Sequence, residues 1–190
     1  MRRVFAAALL FLLPAAALAE VSGSALVMDG DTVTVQGQDI SLYGIHAPSI
    51  VQSCGMDAEI WQCGWDAANR LEAIIANRTV TCTDIVENAD GKLVGRCAAE
   101  GEDLAGAMID EGLAVADPET GADYQPRAMA ASDQKVGMWS GAFVDPVTWA
   151  QIGGCGCSAR KKSMMETAAL LKAQREAAEA EAETHEELTN

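Results

Sequence analysis

Short stretches of alternating apolar and polar residues occupy the first half of the chain, separated by turns rich in Gly, Asp and Asn. A period of two between such turns is typical of β-strands that are buried on one face. The strands that this pattern predicts cover residues 24–29, 32–35, 40–45, 78–83 and 93–98.

Between and after these strands, apolar residues recur at every third or fourth position, which is the period of an amphipathic helix. Three helices are predicted: from Gly64 to a stop at Asn77, from a cap at Asp103 to Gly112, and over residues 125–135. The apolar pair Met138 and Trp139 is expected to pack as a lid. Five short strands with about three interspersed helices predict an α+β architecture, a five-stranded β-barrel of oligonucleotide-binding (OB) topology.

The two ends of the chain differ in composition from this middle part. Arg2 and Arg3 precede an apolar run over residues 4–13 and a small-residue site that ends at Ala19, which together predict a secretory signal. No other segment has the roughly 20 apolar residues that a membrane span requires. We therefore expect export to the periplasm or beyond. The predicted parts are a signal over 1–19, a domain over 20–152, and a C-terminal part over 153–190 with a C-x-C segment and an Ala/Glu-rich tail, helical or disordered.

The charge balance disfavours nucleic acid as a partner. The chain has 28 Asp and Glu against 13 Lys and Arg, for a formal net charge of −15 at pH 7. Binding to a polyanion depends on clustered Lys and Arg that neutralise its phosphates. The sequence does not identify the ligand: barrels of this topology bind oligonucleotides, oligosaccharides and proteins, and a protein or an oligosaccharide is a candidate.

Five segments, in this order, resemble the staphylococcal nuclease (thermonuclease) family. They are residues 29–32 (Asp-Gly-Asp-Thr), 44–48 (Gly-Ile-His-Ala-Pro), 90–92 (Asp-Gly-Lys), 103–114 and 137–141 (Gly-Met-Trp-Ser-Gly). The exported, cysteine-containing branch of the family also resembles this chain around its first four cysteines. The resemblance implies the barrel fold and the hydrolysis of phosphodiesters with calcium.

The resemblance also implies a set of catalytic positions, and most of them hold altered side chains. Family members bind calcium with carboxylates, activate water with a Glu and bind the phosphate with two arginines. Asp31 falls on one metal carboxylate, whereas His46 replaces the second. Ser49 stands at the Glu position, Ser41 at the first arginine and Lys92 at the second.

Two alternatives would change this assignment, one a shift of the alignment and the other a pair of replacement carboxylates. Arg96 lies in a Val-Gly-Arg segment that resembles the family's Tyr-Gly-Arg, so it is an alternative to Lys92 as the phosphate ligand. Lys92 is favoured because it directly follows Asp-Gly. Asp57 and Glu59 are candidate replacement carboxylates in the following loop, although two solvated loop acids are the expected interpretation.

His46 has two interpretations. A hydrogen-bonded imidazole at the mouth of the barrel is the default. The alternative is a zinc or copper site that His46 forms with Asp29 and Asp31, because imidazole suits these softer metals better than calcium.

Export makes the six cysteines candidates for disulfides. Cys82 and Cys97 lie on consecutive predicted strands, where cross-strand pairing brings Cα atoms within range of a bond. Cys54 and Cys63 bracket a loop that a bond would fix in place. Both bonds are predicted to be structural.

The C-x-C pair, Cys155 and Cys157, is expected to be a plain clasp at the start of the tail. The alternatives are bonds to a second chain and a reducible redox pair. The favoured function is an exported domain of nuclease ancestry whose hydrolytic site is degraded, acting as a binding or structural module with no cofactor. The second is a weak or metal-altered nuclease, with calcium if it is active, in which Asp31 holds the ion and Lys92 meets the phosphate. A thiol-active protein is the third.

Overall fold

The computed structural model describes residues 20–55 and 60–151. The β-strands are β1 Val21–Gly23, β2 Ala25–Asp29, β3 Thr32–Val35, β4 Gln38–Leu42, β5 Ile45–His46, β6 Val80–Glu87, β7 Leu93–Ala99, β8 Glu102–Asp103 and β9 Val115–Ala116. The α-helices are α1 Cys63–Ile75, α2 Leu104–Asp110, α3 Gln125–Gln134 and α4 Pro146–Gln151. Single 3₁₀ turns cover Ala122–Tyr124 and Gly137–Ser140. The predicted signal, Asp57, Glu59, Cys155, Cys157 and the predicted tail lie outside the described residues.

The main sheet is curled so that its two ends meet. Its strands follow the order β1-β6-β7-β4-β3-β2, with β8 added beside β7. The first and last strands of this path, β1 and β2, are separated only by Ser24. They therefore act as one long strand that pairs with β6 at one end and with β3 at the other. This arrangement is the predicted five-stranded OB barrel, closed by a parallel pairing of β4 with β7.

Alternation decides which face of each strand is buried. Val33, Val35, Ile40 and Leu42 point into the core, whereas Ser41 lies between two of them on the opposite face.

The predicted α+β class and the predicted strands and helices are confirmed, with differences in number and length. β6 extends to Glu87, α4 was not predicted, and β8 and β9 are two-residue strands without a readable period.

α1 covers the bottom of the barrel with the face that the sequence predicted, including Ala67, Leu71 and Ile75. The helix ends where Ala76 and Asn77 adopt left-handed backbone conformations, in agreement with the predicted stop at Asn77. Its first turn packs directly on the chain after β5. A Cβ atom at Gly64 would stand 1.8 Å from the carbonyl oxygen of Ser49, so only glycine allows this approach.

The predicted cap of α2 is wrong in its chemistry. Asp103 occupies the N-cap position, but its side chain makes no capping hydrogen bond. Its carboxylate accepts a hydrogen bond of 3.2 Å from the Tyr124 hydroxyl and lies 3.7 Å from Arg127 instead. These contacts join α2 to the segment that carries α3.

Two disulfides join the pairs that the sequence predicted. Cys82 and Cys97 face each other on β6 and β7 with Cα atoms 4.0 Å apart. Cys54 and Cys63 close the loop before α1 and lie in a second small core with Met138. Trp139 packs against this core with its ring edge-to-face on Phe143, so Met138 and Trp139 cover the Cys54–Cys63 bond.

In the described part of the chain, no helix combines the length and the apolar character needed to cross a bilayer.

Candidate functional site

A cleft of about 930 Å³ opens on the outer face of the barrel. It lies between the β2–β3 turn, the chain from β4 to Val51, the β6–β7 hairpin and α4. All the positions that the resemblance implies line this cleft: Asp31, Ser41, His46, Ser49 and Lys92. The fold therefore brings together residues that are as far apart as 61 positions in the sequence.

Strand register explains why these side chains share one surface. Ser41 pairs with Thr32 across the antiparallel β3–β4 ladder and with Val94 across the parallel β4–β7 ladder. Residues paired across a ladder point to the same face of the sheet. The two hydroxyl oxygens of Thr32 and Ser41 are 3.4 Å apart, so a small hydrogen-bonded hydroxyl stands at the position where the resemblance implies the first arginine.

Asp31 is held from several sides at the base of the cleft. One carboxylate oxygen accepts a 2.7 Å hydrogen bond from the Ala47 amide, and the other accepts one of 3.1 Å from the Thr32 hydroxyl. Burial, followed by the negative charge of Asp29 nearby, raises the pKa of Asp31 well above its ordinary value. The carboxyl group thus joins the β2–β3 turn to the segment after β5.

His46 is paired with an acid that the sequence analysis missed. β5 pairs with β9, so that His46 lies opposite Val115 and beside Asp117, and the imidazole Nε2 lies 2.5 Å from the Asp117 carboxylate. Burial alone would raise the pKa of Asp117, but hydrogen bonds from Thr120, His46 and the Glu119 amide lower it to about 2. Because Asp117 is then a carboxylate, Nε2 must carry the proton and donate it. The default interpretation of His46, a hydrogen-bonded imidazole, describes this geometry.

No arginine of residues 20–55 and 60–151 lines the cleft, since each is paired with an acid elsewhere. The four pairs are Arg70–Glu111, Arg78–Glu102, Arg96–Asp123 and Arg127–Asp110. Arg96 also stacks over the ring of Tyr43, a residue that lines the cleft, at 4.4 Å from the ring centroid, but Arg96 itself is not among the lining residues. Lys92 is the basic side chain that lines the cleft, and it is exposed.

The donors in the cleft do not fit calcium or a softer metal. Calcium takes six to eight oxygen ligands, usually with several carboxylates. In the described residues, no three His, Cys, Asp or Glu side chains converge in a way that could hold a metal ion. Asp29, Asp31 and His46 therefore do not form the zinc or copper site considered from the sequence, and the nitrogen of His46 is engaged by Asp117.

α4 supplies a wall of the cleft that sequence reasoning also missed. Pro146, Val147, Trp149, Ala150 and Gln151 all line the cleft. The sequence does contain a signal for this helix, namely Asp145 followed by Pro146. Aspartate is favoured just before a helix, where the Asp145 carboxylate accepts hydrogen bonds from the amides of Val147 and Thr148, and proline is favoured at the first helical position. An equivalent signal exists for Asp117, whose carboxylate caps the turn to Thr120, but nothing in the sequence connects that turn with His46.

Comparison with known proteins gives the following matches. A model of the family described as staphylococcal nuclease homologue matches residues 39–141. The chain is also similar to succinoglycan biosynthesis protein ExoI of Rhizobium meliloti (strain 1021), with 32% identity over 140 residues that cover 70% of this chain and 72% of the relative. The family match ends before α4 begins.

Proposed function

The chain belongs to the staphylococcal nuclease family, and we propose that it is an exported, non-catalytic member whose cleft binds a ligand instead of hydrolysing nucleic acid. The observation that carries the proposal is the composition of the cleft. Asp31 is the one retained catalytic position, while hydroxyls or imidazole occupy three others and a lysine the last.

Each replacement removes a different part of the chemistry. A serine hydroxyl at position 49 cannot accept a proton near neutral pH without a base of its own. Removing a single preorganised donor from a charge-stabilising site costs roughly 10²–10³ in rate. Ser41 offers no charge to the phosphate, and Lys92 offers a point charge where the family has a forked guanidinium. Together these losses leave no efficient route to phosphodiester cleavage.

The two disulfides support export, because such bonds persist in oxidising compartments and are rare in the cytosol. The relative is named for succinoglycan biosynthesis. We infer a similar setting for this chain, outside the cytoplasm and near the synthesis of a polysaccharide.

A nuclease assay tests the absence of catalysis. The chain without residues 1–19 is incubated with single-stranded DNA and RNA in calcium, manganese or zinc, beside Asp31→Ala and the control Asp133→Ala, an exposed acid on α3. We expect no cleavage above buffer by any of the three proteins. Cleavage that Asp31→Ala abolishes and Asp133→Ala retains would overturn the proposal and establish the alternative, a weak or metal-altered nuclease in which Asp31 and Lys92 act.

A restored variant tests the origin of the cleft. Ser41→Arg, His46→Asp and Ser49→Glu together return the family's side chains to positions that already line one cleft. We expect this triple variant to gain calcium-dependent cleavage of single-stranded DNA that the unchanged chain lacks. The same triple variant with Asp31→Ala is the control and should remain inactive.

A further inference from the structure

The wall formed by α4 lies beyond the family match, which stops at residue 141, whereas α4 begins at Pro146. It is firmly anchored. The fully buried Gln52 donates its side-chain amide to the Val144 carbonyl at 2.7 Å, and the Gly55 amide donates to the Ala142 carbonyl at 2.6 Å. The segment that leads into α4 is therefore fastened to the loop that carries the Cys54–Cys63 bond.

This wall gives the cleft an aromatic and aliphatic surface. Trp149 lines the cleft and has no ring partner among the described residues, in contrast to Trp139, which packs on Phe143. Val86 and Val94 line the same cleft from the β6–β7 hairpin, and Val86 is exposed. The half-buried Trp149, the exposed Val86 and the half-buried Val94 together offer the cleft a surface for the apolar face of a flat, polar ligand.

The polar residues of the cleft carry little charge that is available to a ligand. Both oxygens of Asp31 accept internal hydrogen bonds, and Asp117 is engaged by His46, Glu119 and Thr120. Asp29 is buried. The exposed acid Asp90 lies on the same hairpin as Lys92, so the two opposite charges are close together in the chain.

The hairpin adds uncharged donors and acceptors at the edge of the cleft. The Asn88 side-chain oxygen accepts hydrogen bonds from the amides of Asp90 and Lys92, which leaves the Asn88 side-chain NH₂ as a donor. Thr32 and Ser41 present hydroxyls at the base. The cleft volume of about 930 Å³ lies near the upper end of the roughly 300–1,000 Å³ typical of small-ligand sites.

We propose that the cleft binds a neutral oligosaccharide, with Trp149 providing the stacking surface and the hairpin from Asn88 to Lys92 together with Thr32 and Ser41 bonding the sugar hydroxyls. The inference rests on the proposed function and identifies its ligand class. A polyanion is disfavoured by the net charge of −15, and a basic peptide is disfavoured because most cleft carboxylates are already used inside the protein. A ring-shaped ligand with many hydroxyls and no charge satisfies the remaining surface.

Calorimetric titration of the chain without residues 1–19 tests the inference. The probes are cellohexaose, laminarihexaose and maltohexaose, with polylysine and single-stranded DNA as charged comparisons. We expect at least one of the sugars to bind and both charged polymers to bind more weakly.

Trp149→Ala should weaken sugar binding by about tenfold or more, because tryptophans at the centre of a contact carry a large share of affinity. Trp65→Ala is the matched control, since Trp65 is 41% exposed on α1 and does not line the cleft. It should change nothing.

A second measurement uses the unchanged protein, so its result does not depend on whether the Trp149→Ala variant folds. In the unchanged protein, the bound sugar should shift the indole N–H resonance of Trp149 and leave that of Trp65 in place. The inference is overturned if no sugar binds, if Trp149→Ala binds as well as the unchanged chain, or if polylysine binds and the sugars do not. Nuclease activity that depends on Asp31 would overturn the proposed function separately, whatever the sugars do.

Discussion

Asp117 connects two parts of the chain that are 71 residues apart through its hydrogen bond with His46. Its pKa of about 2 lies below the ordinary value of 3.8, so folding favours the ionised form. The stabilisation is therefore fully present above about pH 4 and is lost as the pH falls toward 2. A shift of this size corresponds to about 2 kcal/mol.

We expect Asp117→Asn to lower the free energy of unfolding by about 2 kcal/mol at pH 7, and the difference from the unchanged chain to shrink as the pH approaches 2. Denaturant titrations at several pH values between 2 and 7 measure this difference. Asp133→Asn, an exposed residue on α3, is the control and should show no such trend. A difference that is constant over the whole range would contradict the assignment.

The contact at Gly64 gives a second test at the level of one residue. A Cβ there would meet the Ser49 carbonyl at 1.8 Å and the Ile50 Cα at 2.9 Å, and both are backbone atoms that cannot move alone. We expect Gly64→Ala to destabilise the fold by roughly 3 kcal/mol or more, at or above the upper end of ordinary overpacking. Thermal unfolding measures the loss. Gly141→Ala, where nothing lies within 4 Å, should be nearly neutral.

Individual residues could be predicted from the sequence where they lie in a contiguous motif. Asp31, His46 and Lys92 each stand in such a motif, and the structure places all three around one cleft. The partner of His46 could not be predicted, because the β5–β9 ladder that brings Asp117 close consists of two residue pairs. Ladders this short leave no pattern in the sequence.

The central strands β6 and β7 are joined by the Cys82–Cys97 bond, which encloses a separation of 15 residues. In the chain-entropy account, a loop of this size contributes roughly 3 kcal/mol. We expect the double variant Cys82→Ala, Cys97→Ala to lose about that much stability in denaturant titrations. Cys54→Ala with Cys63→Ala, which opens a separation of 9 residues at the edge of the fold, should cost less. The opposite order would show that the loop before α1, and not the barrel, limits stability.

The longer a strand or helix is, the more clearly the period of its apolar residues predicted it from the sequence. The period of two identified β2, β3 and β4, and the helical period identified the 13 residues of α1. The six residues of α4 hold fewer than two turns, so they show no helical period, although Asp145 and Pro146 signal a start. The cap assigned to Asp103 was wrong because a tertiary contact with Tyr124 outweighs the local one.

The whole molecule is strongly acidic, with a net charge of −15. Like charges repel across a compact surface, and salt screens this repulsion over a Debye length that falls from about 30 Å at 0.01 M to about 3 Å at 1 M. We expect the midpoint of thermal unfolding to rise as sodium chloride is increased over this range. A fall would mean that the surface ion pairs of the four arginines in residues 20–55 and 60–151 outweigh the net repulsion, which is unexpected for exposed pairs.

At the scale of the molecule, the sequence predicted the barrel but not the strand pairings that close it. The five predicted strands match the observed path, and the separate pairing of β1 with β6 depends on a break at Ser24 that has no periodic signature. The parallel pairing of β4 with β7 was likewise unreadable, because register between distant strands is set by the packed core.

On the proposed export, the position of β1 has a consequence for maturation. If the leader is cut after Ala19, the closing strand begins at Val21, two residues beyond the scissile bond. A processing peptidase requires extended, accessible backbone around the bond that it cuts, whereas β1 offers its backbone to β6. Cleavage and final closure of the barrel then compete for the same few residues, so a leader that is still attached should delay the last step of folding.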